Sequence, residues 1–507
     1  MITKTRFLEG RQCLKRLWLA SHGPREPELE PAEVLADREA DGAAVEALAE
    51  ELFPDGVRVA PGETPDLSAG RTLFQAPLRA EDLLAIVDVL EARKGGVVVW
   101  EVKASAFRPD KAPKPVYDWD LAYQVHVARA AGLTVVGAGL LLVDGAYVLS
   151  EAGLDPQALI VRLDRTAEVE ALADGVREAL SRQRAALAAP EAPERWPAPR
   201  CKGSRSAKEG DRPSTCGHLD RTGACGQHLP PHWAGTLPRL RGPRAEHVAR
   251  TPNLEIEALD PNDARLEWSD EQQRVIRAVR AGAPEVDPAA LLAALETLEW
   301  PVAYLDFEFD PNVAIPRHIG MRPFDRLPFQ WALAVQERPD APLGATRHFL
   351  QRDGSDPRRP FAESLLAALP ASGSIVAHHA PAETTVLEQL AERLGEPIAA
   401  RLRALVPRFR DTVTIASAGF YAPAQQGSYS IKKLAPALCG RGYEDLAIAN
   451  GMQAVAQWRR AVDPATPDPE RERLTGDLER YCGRDAELMH ALLSELRRLS
   501  GWRPSAG

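Results

Sequence analysis

The chain has 507 residues, of which 45% are hydrophobic and 26% charged, and its formal net charge is −10 at pH 7. A chain of this length exceeds what one hydrophobic core organises, and it predicts roughly three domains. The negative balance disfavours a structural nucleic-acid-binding protein, which usually carries a strong positive excess. It leaves open a metal-dependent enzyme acting on a polyanion, because such a site needs clustered carboxylates and only a local basic rim.

The sequence gives no sign of a targeting or membrane segment. Its longest nearly uninterrupted apolar stretch, Leu133–Val143, is far shorter than the roughly 20 residues that a membrane-spanning helix needs. The basic N-terminus lacks a continuous apolar core and a cleavage site made of small residues. We therefore expect a cytoplasmic protein with no membrane partner.

Residues 1–235 have an α/β pattern. The predicted elements are a helix over Pro31–Leu52, strands near Leu84–Glu91, Val97–Ala104 and Leu133–Val143, and a helix near Ala167–Leu187. The proline-rich segment Pro190–Arg200 is expected to be extended and to lead into the cysteines that follow.

Two further zones complete the chain. Residues 236–297 are expected to form a helical connector, in which Ser269 begins a helix with a capping box and Asp287-Pro288 begins another. Residues 298–507 show strands followed by alternating helices and strands, which predicts a mixed sheet covered by helices.

The first charged constellation lies on two strands around a glycine-containing turn. If Arg93–Gly96 is the turn of a hairpin, Asp88 lies directly opposite Glu101. Because side chains alternate along a strand, Glu101 and Lys103 share one face and would converge with Asp88. This is the arrangement that a metal-bound water and a lysine that positions it require. A Glu-x-Lys sequence alone more often marks a solvated strand face.

Asp88 together with Glu101-x-Lys103 resembles the PD-(D/E)XK nucleases. Gly42-x3-Glu46 resembles the helix that gives this superfamily another metal ligand, and Gln124 resembles the glutamine of RecB-type members. The resemblance implies a restriction-endonuclease-like fold in residues 1–235. It also implies a site with metal ligands Glu46, Asp88 and Glu101 and catalytic residues Asp88, Glu101, Lys103 and Gln124.

Four of the six cysteines flank this module: Cys13 precedes it, and Cys201, Cys216 and Cys225 follow it. With the opening motif Arg11–Trp18, they resemble the iron–sulfur branch, which includes CRISPR-associated RecB-like exonucleases and AddB-type helicase–nucleases. The resemblance implies that the four thiolates hold a [4Fe–4S] cluster. The spacing from Cys201 to Cys216 is longer than that branch normally shows.

Other interpretations of the cysteines stay open. A zinc site is the alternative, since three histidines lie nearby, namely His218, His228 and His232. Free thiols without metal are the third interpretation. Cys439 and Cys482 are expected to be ordinary buried cysteines.

A second acidic pattern begins in the predicted strand Val302–Phe309. Asp306 and Glu308 share one face of this strand, opposite apolar neighbours. Two carboxylates on one face repel each other and are costly to bury, and a divalent cation resolves that conflict. A half-exposed edge strand would explain the same residues without a metal.

Two later elements carry further site candidates. Glu383 is expected in the first turn of a helix just after the predicted strand Ser374–His379, although acidic residues favour helix N-termini anyway. Tyr481 and Asp485 are four residues apart in a stretch with helical spacing and would lie on one face.

Taken in order, these residues resemble the DEDD, DnaQ-like 3′–5′ exonucleases of the tyrosine subtype, with Glu383 where that family usually has aspartate. Phe409–Val413 and Ser428–Leu434 match further parts of the family. The resemblance implies an RNase H-like fold with metal ligands Asp306, Glu308, Glu383 and Asp485, two Mg²⁺ or Mn²⁺ ions, and Tyr481 orienting the attacking water. His378 and His379 either contact phosphate or are polar residues at a strand end.

The two modules in this order resemble a bacterial family known as domain of unknown function 2779. We expect a metal-dependent nuclease that hydrolyses phosphodiester bonds at DNA or RNA ends, with DNA favoured and no protein partner identified. A non-catalytic nucleic-acid-binding or scaffold protein is the alternative. A nucleotide-directed phosphodiesterase that uses the same DEDD site is a third possibility.

Overall fold

A computed structural model describes residues 1–60, 62–63, 66, 70–194, 197, 201, 216–220 and 222–503. The chain forms two compact units: unit 1 consists of Met1–Leu229 and Val313–Phe324, and unit 2 of Pro230–Asn312 and Asp325–Gly507. The architecture is mixed α/β, as the sequence predicts. No helix among the described residues is long and apolar enough to cross a membrane.

Unit 1 is built around one twisted sheet. Its strands are β1 (Ile2–Thr3), β2 (Val57–Arg58), β3 (Leu73–Ala80), β4 (Leu83–Arg93), β5 (Gly96–Phe107), β6 (Val135–Asp144) and β7 (Ile160–Asp164). Its helices are α1 (Lys4–Gln12), α2 (Leu14–His22), α3 (Ala32–Glu50), α4 (Pro115–Ala130), α5 (Pro156–Leu159), α6 (Thr166–Ala171) and α7 (Ala173–Ala188). Within the described residues the strand order is β2-β3-β4-β5-β6-β7, and β1 pairs with β4.

The β4–β5 hairpin has the predicted register. Arg93 pairs with Gly96 and Val89 with Trp100, so the next pair along this register would set Asp88 opposite Glu101. Gly95 in the turn has φ +91°, a conformation that glycine adopts without steric cost. Apolar residues from β3 to β6 pack against α4 in one core.

Three local features of unit 1 differ from the sequence-based expectation. The helix expected near Ala167–Leu187 is interrupted at Leu172, which separates α6 from α7. Strand β3 and helix α4 were not predicted, yet α4 carries Gln124. The segment Pro190–Arg200 lies partly outside the described residues, so its predicted extended conformation stays a prediction.

Unit 2 contains a second mixed sheet. Its strands are β8 (Glu285–Val286), β9 (Val302–Asp310), β10 (Leu327–Gln336), β11 (Arg347–Leu350), β12 (Ile375–Ala377), β13 (Phe409–Asp411) and β14 (Phe420–Tyr421). Its helices are α8 (Gly242–Arg250), α9 (Asp270–Ala281), α10 (Pro288–Leu295), α11 (Arg358–Ala368), α12 (Pro381–Leu394), α13 (Ile398–Leu405), α14 (Thr412–Gly419), α15 (Ile431–Cys439), α16 (Gly451–Ala461) and α17 (Asp468–Ser500).

The main sheet of unit 2 has the order β11-β10-β9-β12-β13 in the described part of the chain. Strand β10 runs antiparallel to β9 and β11, whereas β12 is parallel to β9 and β13. The long helix α17 packs against this sheet through residues such as Leu488 and Leu492, which share a core with Tyr304 of β9.

The residues expected to form the connector pack inside unit 2. Helix α9 begins with the predicted capping box, in which Ser269 and Gln272 bond each other's backbone. Helix α10 begins with Asp287, whose side chain accepts a hydrogen bond from the Ala290 amide. Val275 and Ile276 are buried in the same core as α17.

Candidate metal centres

The first candidate centre lies in unit 2, where β9, α12 and α17 bring four carboxyl groups together. Asp306 and Glu308 extend from one face of β9, while Leu305 and Phe307 on the other face pack into the core. Glu383 stands in the first turn of α12, after β12, and Asp485 projects from the middle of α17. Glu308, Glu383 and Asp485 are 7%, 4% and 7% exposed, and Asp306 is partly buried.

Among the described residues, positive charge acts on these carboxyl groups only from a distance, from Lys432 on three of them and from Arg326 on Glu383. In the described part of the chain, Asp306, Glu308 and Asp485 accept no hydrogen bond from a lysine or arginine. By contrast, the next acidic residue on the same face of β9, Asp310, is paired with Arg459 at 2.8 Å. An anionic group buried without a cation is costly, so the cluster differs from an ordinary structural ion pair.

The pKa values of all four carboxyl groups are raised, because burial and neighbouring carboxylates disfavour their charged forms. Burial and the Glu383 charge raise the pKa of Asp306, and burial followed by Asp306 and Asp485 raises that of Glu308. Burial and then Asp306 raise the pKa of Asp485, against an opposing effect of Lys432. Burial raises the pKa of Glu383 to about 8.

Two observations favour a bound cation in this cluster. Ligand atoms of Asp306, Glu308 and Cys482 all lie within 4.8 Å of one another. The buried Oε2 atom of Glu383 accepts no hydrogen bond from any residue that the structure describes. Carboxylate oxygens are the donors that Mg²⁺ and Mn²⁺ prefer, so the donor set fits a divalent hard cation.

Two residues around the cluster, Tyr443 and Lys432, were not predicted as site residues. Tyr443 donates a hydrogen bond from its hydroxyl to Asp485 Oδ1, and its ring lies 5.9 Å from that of Tyr481, centroid to centroid. Lys432 Nζ lies 5.5 Å from the Tyr443 ring and 5.6 Å from the Tyr481 ring, and it donates to the Ala449 carbonyl.

Cys482 departs from the expectation of an ordinary buried cysteine. Its Sγ lies 3.4 Å from Asp306 Oδ2, and burial raises its pKa well above the usual value. Cys482 and Asp485 are three residues apart on α17 and therefore share one face of the helix. Because that face is turned towards β9, Cys482 also contacts Asp306. Cys439 is only partly buried.

The two histidines after β12 have different environments. His378 lies beside Thr412, with Nδ1 2.7 Å from Oγ1, and burial lowers its pKa to about 4. It is therefore neutral at pH 7. His379 is exposed, and its backbone amide donates to Asp411 at 3.0 Å.

The second candidate centre lies in unit 1, on β4, β5, α3 and α4. Asp88 Oδ2 accepts a hydrogen bond from the Val102 amide at 2.8 Å. Lys103 Nζ donates to Glu101 Oε1 at 2.5 Å, and Gln124 Nε2 donates to Glu101 Oε2 at 2.6 Å. Glu101 is 1% exposed, so its carboxylate is held from both sides.

Helix α3 completes this centre. Glu46 accepts a hydrogen bond from Gln75 Nε2 at 3.1 Å, and the same amide lies 3.3 Å from Asp88 Oδ1. Burial and then Glu101 raise the pKa of Glu46. Gly42, one turn earlier on α3, has open space where a side chain would project. The structure thus brings all five predicted site residues of this module into one network with Gln75.

Two further charged residues enter this network without having been predicted. Lys4 Nζ donates to Glu101 Oε1 at 2.7 Å. Asp120, one turn before Gln124 on α4, accepts from Lys103 at 2.6 Å. Burial tends to raise the pKa of Glu101, but Lys103 and Lys4 outweigh burial and lower it. Burial and then Glu101 raise the pKa of Asp88.

The four predicted cluster cysteines line one cavity of unit 1. Cys13 stands between α1 and α2, and Cys201, Cys216 and Cys225 approach from the segment after α7. The volume of this cavity is about 20 Å³. Lys15 and Arg16 also line it, with Arg16 paired to Glu26 at 2.8 Å, and burial raises the pKa of the Cys216 thiol to about 12.

The three histidines of the zinc alternative are distributed differently. His218 lines the cysteine cavity, and neither of its buried ring nitrogens has a hydrogen-bond partner among the described residues. His228 is exposed. His232 belongs to unit 2, where Nδ1 lies 2.5 Å from Glu257 Oε1.

Fold and sites together define a mixed α/β protein with two clusters of buried carboxyl groups and a cysteine-lined cavity. Residues 303–430, about a quarter of the chain, match the family model described as Domain of unknown function (DUF2779). The match supports the family that the sequence resembles. It includes Asp306, Glu308 and Glu383, whereas Tyr481 and Asp485 lie beyond it. No curated protein matches the chain.

Proposed function

We propose that this protein is a metal-dependent nuclease that hydrolyses phosphodiester bonds at DNA or RNA ends, with its principal active site in unit 2. The observation that carries the proposal is the group of four carboxyl groups on β9, α12 and α17, three of them buried and one partly buried, whose pKa values burial and mutual repulsion raise. Burying such a group without a bound cation either costs stability or keeps its members protonated.

The fold of unit 2 supports a DnaQ-like, RNase H-like module. Its sheet has one strand, β10, antiparallel to β9 and β11, followed by parallel β12 and β13. Asp306 and Glu308 lie on the central strand β9, Glu383 on α12 between β12 and β13, and Asp485 on α17 after the sheet. This arrangement matches the DEDD order of the sequence.

Each residue then has a distinct task. Asp306, Glu308, Glu383 and Asp485 hold divalent cations, which when bound supply an activated water and stabilisation of the leaving oxygen. Tyr443 fixes one oxygen of Asp485 through its hydroxyl, and Tyr481 beside it orients the attacking water. Lys432, close to both rings, adds positive charge where a phosphate enters.

A second nuclease site of the PD-(D/E)XK type is proposed in unit 1. Glu46, Asp88 and Glu101 provide the metal ligands, and Lys103 holds the attacking water. Gln124 supports this role because its Nε2 fixes Glu101, while its buried Oε1 has no partner among the described residues.

We further propose that the cysteine cavity holds an iron–sulfur cluster. The support for this proposal is that Cys13 and the three later cysteines line the same cavity. Four cysteine thiolates are the usual ligand set of a [4Fe–4S] core.

A degradation assay tests the nuclease proposal. Purified protein is incubated with end-labelled single-stranded and duplex DNA and RNA, with Mg²⁺, with Mn²⁺ or with EDTA. We expect metal-dependent shortening from ends that is lost in the Asp306→Ala, Glu101→Ala double variant. Glu487→Ala is the matched control, because Glu487 lies on α17 near Asp485 but pairs with Arg441 at the surface.

Two outcomes would favour a binding or scaffold protein instead. One is no degradation by the wild-type protein, and the other is degradation unaffected by the double variant. Turnover of mononucleotide esters without shortening of polymers would indicate a nucleotide-directed phosphodiesterase. The four substrates in parallel also measure the expected preference for DNA.

A further inference from the structure

Lys4 is the least expected member of the site in unit 1, because it lies at the very start of the chain. Its Nζ is 2.7 Å from Glu101 Oε1 and 3.9 Å from Asp120 Oδ1. Lys103 Nζ contacts the same two carboxylates, at 2.5 Å and 2.6 Å. Two ammonium groups therefore bridge one pair of carboxylates.

The position of Lys4 is fixed on both sides along the chain. Before it, Ile2 is buried, pairs with Leu83 of β4, and accepts a hydrogen bond from the Tyr123 hydroxyl at 2.6 Å. After it, Phe7 of α1 is fully buried and stacks on the Tyr123 ring with centroids 4.7 Å apart. Lys4 is thus held by the fold and does not lie on a loose terminal segment.

The charges of this network determine how many cations it can accept. Four carboxylates, those of Glu46, Asp88, Glu101 and Asp120, surround the ammonium groups of Lys4 and Lys103. With all groups ionised, two negative charges remain, which one divalent cation balances. The cluster of unit 2 also has four carboxylates, but among the described residues only Lys432 acts on three of them, without a hydrogen bond, so more negative charge remains there.

A second observation indicates that the network is incomplete without a ligand. Gln124 is fully buried, and its Oε1 has no hydrogen-bond partner among the residues that the structure describes, although its Nε2 bonds Glu101 and Asp120. A buried carbonyl oxygen without a donor is unfavourable. It is relieved by a cation or by a water that a cation orders.

We propose that the site of unit 1 binds a single divalent cation and that the Lys4 ammonium group takes the place of the second. This inference rests on the proposed nuclease site of unit 1 and specifies its metal requirement. The side chain of Lys4 is 29% exposed, so its ammonium group is accessible to a phosphodiester bound at the site. It neutralises phosphate charge there, as a second metal ion does in two-metal sites.

Counting bound Mn²⁺ tests the inference independently of cleavage. The full-length Asp306→Ala, Asp485→Ala double variant removes ligands of the cluster in unit 2. Equilibrium binding of Mn²⁺ to this protein, followed by electron paramagnetic resonance of the free ion, then reports on unit 1. The same protein with Glu101→Gln gives the baseline, including any Mn²⁺ bound elsewhere.

We expect about one Mn²⁺ per chain above that baseline, because one divalent ion completes the site. Adding Lys4→Met or Lys4→Gln should raise this to about two, since the lost ammonium leaves room for a second divalent ion. Lys4→Arg should keep one. Lys94→Met, a change in the exposed β4–β5 turn, is the matched control and should also keep one. Circular dichroism establishes that each variant is folded.

The cleavage rate of each variant separates this inference from the proposed function. If unit 1 is a nuclease, Lys4→Met should lower its rate roughly 100-fold while only one Mn²⁺ is bound, and either Lys4→Arg or a second bound Mn²⁺ should restore part of the rate. If Lys4→Met raises the number of bound Mn²⁺ from one to two while the Asp306→Ala, Asp485→Ala parent shows no cleavage, the role of Lys4 is supported and the nuclease function of unit 1 is refuted. Two Mn²⁺ in the parent, none in the parent, or one in both Lys4→Met and Lys4→Gln would overturn the inference.

Discussion

Replacing Glu383 with glutamine offers a quantitative test of the buried carboxyl cluster. Glutamine keeps the size and shape of the side chain but cannot ionise. Burial raises the pKa of Glu383 from 4.5 to about 8 in the metal-free protein. The folded state therefore favours the protonated acid. The free energy of unfolding falls as the pH rises from about 4.5 to about 8, and above about pH 8 it falls no further on account of Glu383.

The size of the effect follows from the two pKa values. The difference between 4.5 and about 8 corresponds to roughly 5 kcal/mol at high pH, at about 1.4 kcal/mol for each pH unit. At pH 7 Glu383 is still largely protonated in the folded protein, and it lowers the free energy of unfolding by roughly 3 kcal/mol. For a unit of this size, that is a difference of roughly 6–12 °C in the unfolding temperature.

Thermal unfolding in EDTA, compared between pH 5 and pH 8, measures the effect. The stability advantage of Glu383→Gln over wild type should grow across this range. Saturating Mg²⁺ should reverse the order at pH 8, because the wild-type carboxylate then binds the ion. A constant difference between the two proteins from pH 5 to pH 8, with or without Mg²⁺, would refute the assignment of Glu383 to a metal site.

Three further outcomes are expected. Tyr443→Phe, measured in a Glu101→Gln background, should lower the degradation rate of unit 2 roughly 10-fold, because Asp485 loses a hydrogen bond of about 1–2 kcal/mol. An unchanged rate would show that this hydrogen bond does not support catalysis. Gln124→Leu should weaken Mn²⁺ binding in unit 1 roughly 10–100-fold, because Glu101 loses the side chain that orients it. Mn²⁺ affinity equal to that of the wild type would exclude this role of Gln124. Protein purified without oxygen should be brown and absorb at about 400 nm, and Cys225→Ser should lose colour and iron; a colourless, zinc-loaded protein would contradict the cluster.

Local sequence patterns predict the parts of both sites that depend on a single element or a hairpin. Alternation along a strand places Asp306 and Glu308 on one face. Helical spacing places Tyr481 and Asp485 together on α17. A tight turn sets the register that brings Asp88 towards Glu101. In each case, strand or helix geometry alone is sufficient.

Contacts between distant segments were not predictable in this way. Lys4 reaches Glu101 across 97 positions of the chain, and this contact depends on the pairing of β1 with β4. Tyr443 reaches Asp485 from 42 positions away, from a loop after α15 with no regular pattern. Nothing in the sequence around either residue indicates its partner.

The segment Val313–Phe324 illustrates the same limit at the level of units. It connects β9 with β10, which both belong to unit 2, yet it packs with unit 1. Ala314 is buried in a core of unit 1, together with Trp100 and Leu141. An apolar residue in a connecting segment does not indicate which of two cores it joins.

Diffraction from crystals soaked in Mn²⁺, recorded at the manganese absorption edge, tests the assignment of unit 2 most directly. Two anomalous peaks should lie among Asp306, Glu308, Glu383 and Asp485, with carboxylate oxygens about 2.2 Å from manganese. If the cluster stays free of manganese while its carboxyl groups keep their positions, unit 2 is not a two-metal nuclease site.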